Sequence, residues 1–163
     1  MDTMYTSAAL LDLHERAHRN LRALLDHCRT LSPDELNRTL AGFGYPTVRL
    51  QLHHMIGAQE YWLGVLNGIV DPDDDDTAFP DIDALEAWRA QTFAATESWL
   101  RHADAATLNT ARPFMTWGGR ERTMVPAHVL LRTQMHLYHH QGQVTAMCRL
   151  LDKPIGGLDF PVF

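Results

Sequence analysis

Cysteine is scarce: Cys28 and Cys148 are the whole complement of a 163-residue sequence, so it cannot carry the disulfide framework of a small secreted scaffold. A pair so far apart reads as two reduced, half-buried, inert thiols. Long hydrophobic runs are missing as well. No window approaches the ~18 consecutive apolar residues of a membrane-spanning helix. The N-terminal stretch, broken early by His14, Glu15 and Arg16, lacks the basic flank and apolar centre of a signal peptide. Positive charge is not in excess either. Fourteen Lys and Arg stand against twenty Asp and Glu, a formal net charge of −6, and no segment concentrates bases as a phosphate-binding face would. These absences leave a soluble, cytoplasmic protein as the expectation, with neither nucleic acid nor a membrane as partner.

Hydrophobic residues make up 45% and charged residues 21%, the balance of an ordinary folding chain. The length suits a single domain spanning residues 1–163. Helical periodicity dominates it. Leu10, Ala17, Leu21, Leu24 and Cys28 share one stripe of a first helix from Ser7 to about Leu31. Ser32-Pro33-Asp34-Glu35 is a helix start, with a capping serine, proline at the first position and acids in the first turn. The short helix it opens runs to about Leu40. Thr47 caps a second long helix, from Val48 to about Asn67, where Asn67-Gly68 stops it.

The run Asp71-Pro72-Asp73-Asp74-Asp75-Asp76 is a solvated loop of like charges; it lacks the glycine and distal glutamate of a calcium loop. Asp81 or Asp83 caps a third long helix, which ends near His102 and buries Leu85, Trp88, Phe93 and Trp99. From Asp104 to Val125 the pattern weakens around Pro113, Gly118 and Gly119, leaving an irregular segment with room for a small turn or hairpin. Pro126 opens the last long helix, to Leu151, and the residues from Leu158 onward form a tail laid back on the helices. No run alternates apolar and polar residues long enough for a convincing strand. The fold class is therefore all-α: a four-helix bundle with a short extra helix, an irregular segment before the last helix, and connections long enough for at least one to cross the bundle end.

The last long helix contains Met135-His136-Leu137-Tyr138-His139-His140-Gln141-Gly142-Gln143. His136 and His140 lie ~40° apart around the axis, so their imidazoles stack on one face and can share an ion. On the second long helix His54 aligns with Leu50, Ala58, Tyr61 and Val65 and points to the core, whereas His53 lies ~100° away and points elsewhere. Three neutral imidazoles leave a fourth position open, as in catalytic zinc sites. Spacing alone does not decide the matter in a chain of ten histidines. His14 and His18 are a second pair four residues apart, His139 is an alternative ligand, and hydrogen-bonded core imidazoles fit the same pattern. A zincin-type site is disfavoured, because Leu137 stands where that motif places its glutamate base. Tyr61 is the one candidate for a catalytic proton donor or substrate contact, beside its reading as a core aromatic. Trp117 is a candidate for a pocket mouth.

The string from His136 through His140 to Gly142-Gln143 resembles the last-helix signature of the DinB-like family: a histidine, three residues, a second histidine, then Arg-Gly-Gln. The string from His54 through Glu60 to Trp62 is similar to that family's second-helix signature, and the turn at Leu31-Ser32-Pro33 and the tail at Gly157-Leu158-Asp159-Phe160 fit as well. The resemblance spans nearly the whole chain. It implies a four-helix bundle in which His54, His136 and His140 bind a divalent metal, zinc or nickel. Characterised relatives include S-transferases and an isomerase that use low-molecular-weight thiols, and many are homodimers. The implied activity is thus metal-dependent thiol transfer or isomerisation on a small molecule; the alternative is a non-catalytic metal-binding protein of the stress response. The sequence departs at Gln141, where the family usually has arginine, which puts substrate or partner contacts in doubt rather than the metal.

Overall fold

The computed structural model describes residues 4–71 and 75–163; Pro72, Asp73 and Asp74 of the acidic run lie outside the described residues. Each helix begins where a side chain satisfies the backbone N–H groups of its first turn. Thr6 caps α1 (Ser7–Cys28). Ser32 and Glu35 form a reciprocal capping box on α2 (Pro33–Leu36), which stops at Asn37 rather than near Leu40; the Asn37 amide donates to the Pro33 carbonyl at 3.0 Å. Thr47 caps α3 (Val48–Leu66), Asp81 caps α4 (Ile82–His102), and Asp104 caps the additional one-turn helix α5 (Ala105–Asn109). The weakly patterned segment then forms an antiparallel hairpin of β1 (Arg112–Thr116) and β2 (Arg120–Met124), with Phe114 opposite Arg122. Gly118 and Gly119 make its turn at φ 70° and 68°. Pro126 opens α6 (Pro126–Leu150).

The chain is mostly helical, and its four long helices form the expected bundle. The helix α1 packs against α4 and α6, and α3 packs against the same two, so α1 and α3 occupy opposite corners. The connections from α1 to α3 and from α4 to α6 therefore cross the bundle end. Among the described residues, no helix is long and apolar enough to cross a membrane.

The core is divided. One apolar cluster gathers Leu21, Leu24, Leu52, Ile56, Leu85 and Met147, and another gathers Leu10, Val65, Leu100, Leu108, Phe114 and Leu130. Along each helix a polar level separates them: His14 and His18 on α1, Gln59 on α3, Arg89 and Thr92 on α4, Gln134 on α6, all buried. His18 bonds Gln59 at 2.8 Å and Arg89 at 3.3 Å, while His14 bonds the Phe93 carbonyl at 3.1 Å and Gln134 at 3.4 Å. This second histidine pair is thus the hydrogen-bonded core pair that spacing could not distinguish from ligands.

The stripe read for α1 is buried throughout. Cys28 and Cys148, expected half-buried, are fully buried free thiols. They pair across α1 and α6, and the hydrogen bond with Cys148, followed by burial, pushes the Cys28 thiol up. Asn20 holds the tail by donating to the Leu158 and Asp159 carbonyls at 2.9 and 2.7 Å. At the other end of the acidic run, Asp76 is tied to Arg49 at 2.6 Å, and the same guanidinium donates to the Asp76 carbonyl at 2.8 Å.

Candidate metal centre

Because α3 and α6 lie side by side, His54 faces His136 and His140 across their interface. The Nε2 atoms of His54 and His136 stand 3.2 Å apart, and those of His140 and His136 stand 3.1 Å apart. One nitrogen from each of the three rings lies within 4.8 Å of the others. His140 is buried, and His54 and His136 are half-buried. The three residues singled out from the sequence are therefore brought together as a cluster. Tyr45 closes one side, its ring stacked on His54 with centroids 4.0 Å apart.

Gln51, one turn before His54, settles which nitrogen of His140 carries the proton. Its Nε2 donates to the Tyr45 carbonyl at 3.1 Å and to Gln143 Oε1 at 2.9 Å. Its Oε1 therefore faces His140 Nδ1, 2.7 Å away, and an oxygen there can only accept. His140 is protonated at Nδ1 and turns a bare lone pair on Nε2 toward the other two rings. This is the outer-shell arrangement that orients metal-ligating histidines.

Burial first, and then the neighbouring His140 and His54 rings, push His136 down to about 3. Burial, and then His54, push His140 down to about 4. Both rings are thus neutral near pH 7, which is the ligating form. His136 Nδ1 is buried with no hydrogen-bond partner, so no second contact offsets the crowding of three ring nitrogens. A divalent cation fits this donor set. Nitrogens bound tetrahedrally at ~2.0–2.1 Å stand ~3.3 Å apart, close to the separations observed, and a cation would satisfy the converging lone pairs at once.

A cavity of about 520 Å³ opens beside the cluster and is lined by Tyr45, His54, Tyr61, Trp62, Arg132 and His136, among others. Tyr61, aligned with His54 on α3, also lines this cavity. Its hydroxyl oxygen accepts the Trp117 N–H at 2.7 Å, which fastens the hairpin to α3 and leaves the Tyr61 proton available to a ligand. Trp117 is exposed at the rim.

Three readings are corrected or sharpened. His53 does not turn outward: it is buried between Phe79 and Trp88, with ring centroids 5.4 and 5.0 Å away. The reason is that α3 packs on both α6 and α4. The side carrying Leu50, His54, Ala58 and Tyr61, read as core-facing, is half-buried and lines the cavity, while His53, ~100° away, turns toward Trp88 of α4. His139 stays outside the cluster, exposed, and bonds Gln143 at 3.0 Å. Gln141, the departure from the resemblance, is buried and donates to the Leu158 carbonyl; it fastens the tail and does not line the cavity. Tyr45, Gln51 and Arg132 escaped the sequence reading. Gln51 carried a signal, since it lies three residues before His54 and so one turn along the same side of the helix; nothing local marked Tyr45 or Arg132.

A family model described as the DinB superfamily matches residues 15–144, a span that includes all three histidines. A comparison with curated proteins returns no match.

Proposed function

The chain belongs to the DinB superfamily, and from that premise we propose that His54, His136 and His140 bind zinc or nickel and that the protein is a metal-dependent transferase or isomerase using a small thiol. The observation that carries the reading is the convergence of three Nε2 atoms with the His140 proton already assigned to Gln51. A bound divalent cation would favour thiolate over thiol and so supply a nucleophile at neutral pH. The chain's own residues do the rest. Gln51 and Gln143 hold His140 in its tautomer, Tyr45 covers His54, and the cavity admits a small molecule to His54 and His136. The thiol proton passes to solvent as the thiolate forms, and sulfur attacks the electrophilic carbon. The Tyr61 hydroxyl, which accepts the Trp117 N–H, gives its proton to the group that takes up negative charge and regains one from solvent.

Thiol addition to a small electrophile, measured with metal-stripped and metal-loaded protein, tests this. The loaded form is expected to accelerate the addition and the stripped form to lose that rate. Equal rates in both forms, or none with any small thiol, would sink the catalytic reading.

One observation favours a second role. The ligands come from two different helices, so an ion would fasten α3 to α6 whether or not it reacts. If His136→Ala lowers the melting temperature sharply and the parent protein adds no thiol to any electrophile, the ion is structural.

A further inference from the structure

We infer that Arg132 binds the carboxylate of the small molecule that occupies the cavity, which makes the substrate class a small monocarboxylate with its reactive group about one helical turn from the carboxylate. The inference rests on the proposed thiol chemistry only for the identity of that reactive group. Arg132 precedes His136 by four residues on α6, ~6 Å along the axis, and both side chains line the same cavity. Its guanidinium lies 5.0 Å from the centroid of the Trp62 ring, a cation–π contact that orients the group and leaves its N–H donors uncommitted.

Among the described residues, Arg132 is the one Arg or Lys that lines the cavity, and no ion pair or hydrogen bond engages it. Carboxylates hold Arg49 and Arg89; Arg22, Arg38 and Arg149 are unpaired too, but they are exposed away from the cavity. A planar guanidinium that presents paired N–H donors matches a carboxylate in two parallel bonds.

The rest of the cavity limits the charge that can enter. Glu60, Asp71 and Asp76 also line it. Glu60 accepts from the Trp88 indole at 3.0 Å, and Asp76 is held by Arg49 at 2.6 Å. One negative charge beside Arg132 is balanced, and a second is balanced where it meets the bound cation; an anionic group that reaches neither would face Glu60 and Asp71, which disfavours polyphosphates.

Calorimetric titration of the metal-loaded protein tests the assignment with three probes: 3-mercaptopropionate, 2-mercaptoethanol and propionate. The first carries both groups, and the others carry one each. The expected result is at least ~10-fold tighter binding of 3-mercaptopropionate than of 2-mercaptoethanol, the size of one good charge-assisted contact. Arg132→Gln should erase that ratio while changing the 2-mercaptoethanol affinity by less than about 2-fold, and Arg132→Lys should restore part of it. Because Arg132 is exposed, both variants should melt as the parent does. If propionate binds in an Arg132-dependent way while 2-mercaptoethanol does not bind, the carboxylate subsite stands and the thiol reading falls. Equal affinities for the two thiols, a ratio unchanged in Arg132→Gln, or no binding of either carboxylate would overturn the inference.

Discussion

Gln51 Oε1 stands 2.7 Å from His140 Nδ1, and the Gln51 amide is itself pinned at its nitrogen by two oxygens. Turning the amide over would set its NH₂ against a protonated Nδ1 and oppose two carbonyl-type oxygens. The contact therefore fixes the tautomer of His140, one of three histidines that could hold a metal ion, from outside the cluster.

Gln51→Ala should weaken metal binding by about 10–100-fold, the usual cost of losing an outer-shell partner of a ligating histidine. Chelator competition measures this directly. Gln51→Glu keeps an acceptor toward His140 Nδ1 but sets its second oxygen against the Tyr45 carbonyl and Gln143 Oε1, so it should hold more of the affinity than alanine does while lowering the melting temperature. An unchanged affinity in Gln51→Ala would show that His140 finds its orientation from packing alone.

His54 and His53 are neighbours in sequence but face different helices, and their variants should separate. His54→Ala should remove bound metal, whereas His53→Ala should keep it and lose stability through its contacts with Phe79 and Trp88. Metal content by elemental analysis, read beside melting temperature, distinguishes the two. Saturating metal at about 100 times Kd should itself stabilise the parent by about 2.7 kcal/mol, an increment that His54→Ala should lack.

The contrast between those two histidines marks where the sequence was readable. Helix starts were legible because Ser32, Thr47 and Asp81 act on their own first turns, a local effect. The alignment of His54 with Leu50, Ala58 and Tyr61 was legible from spacing, but that side is half-buried and lines the cavity instead of the core. The burial of His53 was not legible, because periodicity in one helix reports one dominant face, and α3 has two packed neighbours. The hairpin left no trace of alternation: β2 buries none of its residues, and β1 buries only Phe114 and Thr116. Tyr45 and Arg132 join the site through tertiary placement, which no local spacing records.

The polar level across the bundle predicts a loss of stability in mild acid. Burial is the largest influence on both His14 and His18 and lowers them from the ordinary 6.5. Below about pH 6.5 the unfolded chain takes up protons that the folded chain refuses, so stability is fully present above that pH and falls as the solution is acidified. In the metal-free protein His136 and His140 act in the same direction. Denaturant unfolding at pH 7.5, 6.5 and 5.5 samples this window before the capping carboxylates Glu35 and Asp104, which are lowered from 4.5 and 3.8, begin to contribute. Equal stability at all three values would contradict a folded state that keeps these rings neutral.

Two helical glycines should respond to alanine with opposite signs. A Cβ on Gly64 would come within 2.9 Å of the Ile69 carbonyl oxygen, and that is backbone, held by the Ile69 N–H bonding back to the Gly64 carbonyl at 2.8 Å. The C-terminal turn of α3 would have to move, and overpacking of this kind costs about 1–3 kcal/mol. The displacement would reach Asp71 and so the cavity wall, which makes weaker ligand binding a second readout. On α6 a Cβ at Gly142 meets nothing within 4 Å, and the residue is exposed. Gly142→Ala should therefore raise stability by about 0.5–1 kcal/mol, by removing the conformational freedom that a mid-helix glycine surrenders on folding. Its position two residues beyond His140 is ~200° around the helix, on the side away from the cluster, so metal content should not change. Denaturant midpoints of the two variants decide the signs, and a destabilised Gly142→Ala that also loses metal would show that this turn of α6 moves when the ion binds.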